Sequence, residues 1–326
     1  MFHRIARAIV LASGALVAPV SAEAQSWPQS KPIRIEVISA AGGLTDIVPR
    51  LLSKYISASI GQSVVVENRP GAGGNIAAGV VAKAEPDGHT ILATGSNQAV
   101  NPTLLPNPGF DYERDLVPVS MAVVAKMLLV ASPLFPANNI TDVIRIAKQK
   151  PKTINMAISP IGTPNHLGAE MLAQFSNIDI TFVPYGGIGP ATPDLLAGRV
   201  DLAIAAMPSL LPHVQAGKLK ALAVTSSQRS ALAPNISTSA EAGLPNLLID
   251  AWICFMGTGG TPAPVIARLN EEIAKALAQP EVRETFAKQG VEIMHMGPDE
   301  LGKFLKSEAT RFGSLLQHSR ARASIK

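Results

Sequence analysis

The chain of 326 residues contains a single cysteine, few aromatic residues and no run of charge of one sign. Cys254 alone can form no internal disulfide bond and offers no thiolate cluster for a metal ion. Aromatic residues make up only 4%, which argues against recognition of sugars or nucleobases mainly by stacking. The net charge of +4 comes from dispersed Lys and Arg residues, so it does not indicate a nucleic-acid partner. We expect no metal ion and no cofactor.

The signatures of several enzyme classes are also missing from the sequence. There is no G-x-S-x-G, no P-loop and no H-E-x-x-H. The run Gly71–Gly74 imitates a dinucleotide-binding turn, but Ile76 stands where its last glycine belongs. His166 and Glu170 are four residues apart, and no second histidine accompanies them to complete a metal site. We therefore predict a binding protein rather than an enzyme, and keep an exported α/β hydrolase as an alternative.

The N-terminus has the layout of a secretory signal peptide. Arg4 and Arg7 lie in a charged start, residues 8–20 are apolar, and Ala22 and Ala24 provide small residues two apart. The apolar stretch is too short to span a bilayer, which takes about 20 residues in a helix. We predict a signal peptide over residues 1–24, cleavage after Ala24 and export to the periplasm.

Beyond this segment, short β-rich runs alternate with helical patterns, which is typical of βαβ units with parallel strands. A Pro-rich stretch at 101–118 precedes one α/β set, and another at 234–245 follows it. An outer domain interrupted by an inner one explains this arrangement. A single large doubly wound sheet is the alternative that periodicity leaves open. Helical patterns close the chain at 264–278, 281–288 and 298–318.

Four strand-to-helix turns are rich in glycine, and none carries Lys or Arg within its Gly-rich part. They are Ala41–Asp46, Gly71–Asn75, Ile161–Pro164 and Gly186–Pro190. Backbone N–H groups at a helix N-terminus attract anions, and ligands of open α/β sheets collect where such turns lie. One such turn is ordinary loop chemistry. Four in one exported chain favour a site for a carboxylate, held by backbone dipoles and neutral donors.

The polar side chains near these turns each allow a structural and a functional interpretation. Asp46 either caps its own helix or accepts a hydrogen bond from a ligand. Ser96 and Asn97 follow an apolar strand, so they either reach a ligand or close a turn. His166, in the first turn of a helix, either donates to an anion or is a solvated cap. Tyr185 ends a strand beside the fourth Gly-rich turn.

Longer motifs connect the chain to a known family. They include the block from Gly61 to Gly74, the run Pro86–Thr90, the triplet Val183–Tyr185 and the stretch Gly217–Thr225. In these motifs the chain resembles Bug-type solute-binding proteins, the periplasmic receptors of tripartite tricarboxylate transporters. The resemblance extends over nearly the whole mature chain.

The resemblance implies an α/β, two-lobed periplasmic binding protein (type II), with two interdomain crossovers and the ligand in the interlobe cleft. Lobe 1 would comprise residues 25–125 and 250–326, and lobe 2 residues 126–249. Such a receptor captures a small organic carboxylate and delivers it to membrane transporter components. We expect a monomer. A receptor that senses its ligand for a signalling partner is a further alternative.

The resemblance also assigns ligand contact to the first Gly-rich loop, the loop after the third strand and a Ser-to-His corner in lobe 2. We also expect the fourth Gly-rich turn, Gly186–Pro190, to contact the ligand. The predicted ligand-binding residues are Ser39, Ala41, Gly42, Gly43, Asp46, Gly95, Ser96, Asn97, Ser159, Gly162, Thr163, His166, Tyr185 and Gly186. Ala40 and Ala41 stand where the family commonly has a proline, so the identity of the carboxylate is left open.

Overall fold

A computed structural model describes residues 27–28, 31–105 and 107–317 of the chain. Residues 314–317 are described as backbone only. The predicted signal peptide and its cleavage site lie outside these residues. Within the described ranges, none of the helices combines the length and the apolar character that a membrane crossing requires.

The first part of the chain alternates strands and helices, as its periodicity predicts. The elements are β1 (Ile33–Val37), α1 (Leu44–Ile60), β2 (Val64–Asn68), α2 (Asn75–Ala82), β3 (Thr90–Thr94), α3 (Asn97–Leu104) and β4 (Leu116–Ala131). Strand β1 pairs in parallel with both β2 and β3. Helix α1 buries Val48, Leu52 and Ile56, which recur every fourth residue and so form one apolar stripe.

The middle part forms a second parallel group. Its elements are α4 (Ile140–Gln149), β5 (Asn155–Ile158), α5 (Pro164–Ser176), β6 (Thr181–Pro184), α6 (Ile188–Leu196), β7 (Leu202–Ala206), α7 (Met207–Gln215) and β8 (Lys220–Val224). Strand β5 lies between β6 and β7 and is parallel to both.

The last part returns to the first group. It contains β9 (Asp250–Thr258), α8 (Ala263–Ala278), α9 (Pro280–Gln289), β10 (Val291–Met296) and α10 (Pro298–Gln317). Strand β9 runs antiparallel to β3 and to the first half of β4, and β10 pairs with β4 on its other side.

Strand β4 joins the two groups. Residues up to Lys126 pair with β9, whereas Met127–Ala131 pair with β7 and β8. The chain crosses back before β9, where the Thr225 N–H donates to the Met127 carbonyl at 3.0 Å and its hydroxyl to the Ile249 carbonyl at 2.9 Å. We call β1–β3, β9, β10, the first half of β4 and the helices α1–α3 and α8–α10 lobe 1. Strands β5–β8, the rest of β4 and the helices α4–α7 form lobe 2. The two-lobed α/β architecture is as predicted, while the residue boundaries of the lobes stay a prediction.

Three elements differ from what the sequence pattern predicts. The Pro-rich stretch 101–118, for which the pattern predicts no element, contains the end of α3 and the start of β4. Periodicity predicts a strand only over 127–131, yet β4 extends back to Leu116 and tolerates Pro118 beside a register shift. Strand β10 has no predicted counterpart, because an exposed edge strand needs no apolar run.

Candidate ligand-binding site

A small cavity lies between the two lobes. Lobe 1 contributes Ser39, Gly43, Leu44, Thr45, Gly95, Asn97, Ala251, Trp252 and Ile253, and lobe 2 contributes Ser159, Thr163, Pro164, Asn165, Gly187, Ile188, Ala206 and Ser209. The cavity volume, counted as the space that the centre of a water molecule can occupy, is about 30 Å³. A space of this size leaves only a narrow gap between the lobes. The lobes are therefore in a closed arrangement.

Five helices begin at this cavity. Helix α1 starts there with Leu44 and Thr45, α3 with Asn97, and the lobe 2 helices α5, α6 and α7 start there as well. The first N–H groups of a helix have no acceptor within the helix, and its dipole places partial positive charge at that end. The cavity wall is thus electropositive although none of the lining residues is Lys or Arg. This wall suits a small anion that accepts hydrogen bonds from both lobes.

Hydrogen bonds connect the lobes around the cavity. They join Ala40 N to Gly186 O (2.8 Å), Ser96 Oγ to Gly162 O (2.6 Å), Asn97 Nδ2 to Ile161 O (2.8 Å) and Ser209 Oγ to Gly42 O (3.2 Å). Each has a backbone atom on at least one side. Close approach of the two main chains is therefore part of closure.

Asp46 braces the first glycine loop rather than lining the cavity. Its buried carboxylate accepts from Gly42 N at 3.1 Å, from Arg50 Nε at 2.8 Å and from Asn68 Nδ2 at 2.9 Å. Gly43 occupies the N-cap position of α1 with no side-chain cap. The carboxylate thus fixes the turn that presents the N-terminus of α1.

His166 has a comparable role behind the Gly162 turn. Its ring is 1% exposed, its Nδ1 accepts from Gly162 N at 3.3 Å, and its Nε2 lies 3.5 Å from Glu170 Oε1. Because Nδ1 accepts, a neutral ring carries its proton on Nε2, towards Glu170. His166 is therefore neither a solvated cap nor a group that lines the cavity. The cap of α5 is Thr163, whose Oγ1 accepts from the His166 N–H.

Tyr185 forms a pair outside the cavity. Its hydroxyl donates to Asp194 Oδ2 at 2.8 Å, and Asp194 also accepts from Arg199. Burial and the neighbouring Asp194 raise the pKa of Tyr185 to about 12, so its hydroxyl stays protonated and remains the donor.

The structure divides the predicted site residues into two sets. Those that line the cavity are Ser39, Gly43, Gly95, Asn97, Ser159 and Thr163. The others adjoin the contact between the lobes or brace its turns: Ala41, Gly42, Asp46, Ser96, Gly162, His166, Tyr185 and Gly186.

Sequence reasoning missed the wall formed by α7 and by β9. The start of α7 has Pro208 as its second residue, a helix-start signal that a search for Gly-rich turns passes over. The β9 residues Ala251–Ile253 belong to an apolar run, in which nothing marks the positions that line a cavity. Across the described ranges, no group of three or more His, Cys, Asp or Glu residues is placed to hold a metal ion.

Comparison with known proteins identifies the family. Residues 48–320 match the family described as the tripartite tricarboxylate transporter family receptor. The chain belongs to this family. The protein BugT of Bordetella pertussis is 36% identical over 316 residues, which cover 96% of each chain. Membership favours a solute receptor over an exported hydrolase and over a receptor for a signalling partner.

Solved structures of similar chains share the fold. The periplasmic binding protein BugD is 32% identical, has a TM-score of 0.85, and the match covers 89% of this chain and 97% of that one. Rpa4515 of R. palustris, solved with adipate, is 30% identical with a TM-score of 0.85, covering 91% and 98%. MatC of Rhodopseudomonas palustris, with bound malate, has the same identity and TM-score, covering 89% and 100%. The predicted resemblance to Bug-type receptors is confirmed.

Proposed function

We propose that the chain is a periplasmic receptor that captures a small organic carboxylate and delivers it to the membrane components of a tripartite transporter. The observation that carries this proposal is the convergence of five helix N-termini on one cavity whose lining includes no charged side chain. The carboxylates in two similar solved structures support the same class of ligand.

The ligand would couple binding to closure because both lobes contribute N–H groups to it. In the open arrangement a carboxylate meets the helix ends of one lobe only. Closure adds the helix ends of the other lobe and the hydrogen bonds between the lobes, so the ligand stabilises the closed state by its additional contacts there. The membrane components can then distinguish the loaded receptor by its shape.

The proposal also includes the cleavage of the signal peptide and the boundaries of the two lobes. We place the signal peptide at residues 1–24, lobe 1 at 25–125 and 250–326, and lobe 2 at 126–249. Strand β4 exchanges β9 for β7 as its partner between Lys126 and Met127, one residue from the proposed boundary, and β9 begins at Asp250, which supports these lobe boundaries. Intact-mass measurement of periplasmic protein tests cleavage after Ala24, and a chain that retains residues 1–24 contradicts it. Sedimentation tests the monomer.

A matched ligand series tests the carboxylate. Titration calorimetry would compare succinate, adipate and malate with succinamide and adipamide, in which neutral amides replace the carboxylates. We expect binding of at least one acid and none of its diamide, because only the acid is stabilised by the helix dipoles. Equal binding of acid and diamide, or no binding of any acid, would contradict the proposal. Native mass spectrometry of protein purified without added ligand provides a second test, since a retained carboxylate shows as added mass.

A further inference from the structure

The side chain of Asn97 has a fixed orientation at the edge of the cavity. Its Nδ2 donates to the Gly73 carbonyl in lobe 1 and to the Ile161 carbonyl in lobe 2, each at 2.8 Å. Two carbonyl oxygens can only be matched by the NH₂ end of the amide. The opposite orientation would bring Oδ1 against two acceptors, so the amide cannot be turned over.

The other end of this amide has no partner. Asn97 is 2% exposed and its Oδ1 is buried without a hydrogen bond. The hydroxyl of Ser39, which lines the same cavity and is 7% exposed, is also buried without a partner. Buried polar atoms in native proteins are almost always hydrogen-bonded, so these two atoms indicate groups that a bound molecule would match.

The two unpartnered atoms differ in the hydrogen bonds that they can form. The Ser39 hydroxyl can donate to a carboxylate oxygen or accept from another group. The Asn97 Oδ1 can only accept, and a carboxylate oxygen beside it would place acceptor against acceptor. A ligand that satisfies Asn97 must therefore bring a donor of its own, next to the carboxylate that the helix N-termini hold.

We propose that the ligand is a hydroxy acid whose hydroxyl group donates to Asn97 Oδ1. This inference rests on the proposed function, since it adds a second group to the carboxylate. A hydroxyl is favoured over an ammonium group because no Asp or Glu lines the cavity. An ammonium group would be buried among five helix N-termini without a counter-charge from the protein.

Pairs of acids that differ by one hydroxyl test the inference. Calorimetry would compare L-malate and D-malate with succinate, lactate with propionate, and citrate with tricarballylate, with L-aspartate as the amino counterpart of malate. Loss of the hydroxyl leaves a buried acceptor unpaired, so we expect the hydroxy acid of the bound pair to bind about ten- to a hundredfold more tightly. Aspartate should bind less tightly than malate.

The variant Asn97→Ala assigns this preference to the amide. It also removes the hydrogen bond to Ile161, so both acids of a pair should bind more weakly, but their ratio should fall to about one. Ser209→Ala is the matched control, because it removes another interlobe hydrogen bond and leaves the Asn97 acceptor in place. In Ser209→Ala both affinities should fall while the ratio stays as in the unmodified protein.

The outcomes separate this inference from the proposed function. Failure to bind any of these acids contradicts the carboxylate receptor itself. Three results overturn the hydroxy-acid assignment alone. They are equal binding of both acids of a pair, a preference for the hydroxy acid that survives in Asn97→Ala, and tighter binding of aspartate than of malate. If Asn97→Ala does not fold, a crystal structure with the preferred acid decides. The hydroxyl oxygen must lie within about 3.2 Å of Asn97 Oδ1, and a water molecule in that position overturns the inference.

Discussion

Replacing Gly189 by alanine should weaken ligand binding without destabilising the fold. Gly189 lies in the first turn of α6, and its Cα approaches the first glycine loop of lobe 1. A Cβ built on Gly189 would overlap the Ala41 carbonyl oxygen and lie 3.1 Å from the Ala41 carbonyl carbon. Cβ atoms essentially never come within 3.0 Å of another heavy atom, and backbone cannot move aside as a flexible side chain can. Gly189→Ala therefore holds the lobes apart.

The substitution should change stability and affinity in opposite directions. Alanine is favoured over glycine within a helix by about 0.5–1 kcal/mol, so the ligand-free protein should be as stable as before or slightly more stable. Closure would lose the nearby bonds Ala40–Gly186 and Ser209–Gly42. At about 0.5–1.5 kcal/mol each, their loss amounts to about 1–3 kcal/mol, which raises Kd by a factor of about 5 to 150.

Calorimetry measures the change in Kd, and thermal unfolding without ligand measures stability. Gly79→Ala is the control, since it makes the same exchange inside α2, where the added Cβ meets only the Phe110 ring at 3.6 Å. It should gain stability and keep its affinity. Small-angle scattering at saturating ligand should show a less compact Gly189→Ala protein. An affinity equal to that of the unmodified protein would refute the reasoning, because it would mean that closure does not bring these backbones together.

Three further predictions follow from other contacts. Ser96→Ala leaves the Gly162 carbonyl without its 2.6 Å interlobe donor, so Kd should rise by a factor of about 5 to 150 with little change in ligand-free melting temperature. Gly162→Ala should weaken binding more strongly than Ser96→Ala, because the φ angle of Gly162 is +83° and the added Cβ would overlap a neighbouring side-chain oxygen. Lys148→Ala, at an exposed position, is the control and should leave the affinity measured by calorimetry unchanged. Hydrogen bonds from Arg114 and from a backbone N–H lower the pKa of Asp115 from 3.8 to about 2, so this carboxylate stabilises the fold above pH 3.8 and loses its contribution as the pH falls towards 2. Melting temperatures between pH 2 and 5 should therefore fall less steeply in Arg114→Ala, and an unchanged slope would contradict this assignment.

Much of the fold could be predicted because it depends on local signals. Strands β3 and β7 begin and end where the apolar runs place them, and most helices follow a turn that the sequence marks with glycine or proline. Helix α3 could not be found in this way. It is short and contains Pro102, and it packs against α10, which lies far away in sequence. Its stability comes from contacts that no local pattern reveals.

The same limit applies to the polar side chains beside the Gly-rich turns, whose contact with a ligand stays a prediction. Gly-rich turns indicate where backbone N–H groups are presented, and the cavity does lie beside them. They do not indicate whether a nearby polar side chain points to the ligand or supports the turn from behind. Asp46 supports its turn through Asn68 at the end of β2, and His166 through Glu170 one helical turn later. That distinction depends on packing between elements.

The closed contacts also explain how a site without charged side chains can be selective. The lobes meet through Gly42 and Gly189, where neither residue has a side chain that could yield. A ligand that is slightly too large therefore keeps two main chains apart and loses every hydrogen bond between the lobes together. Under the proposed function, closure as a whole would test ligand size, and Asn97 and Ser39 would test the polar groups of the ligand. The small residues at the interlobe contact and the polar residues at the cavity would then have separate parts in recognition.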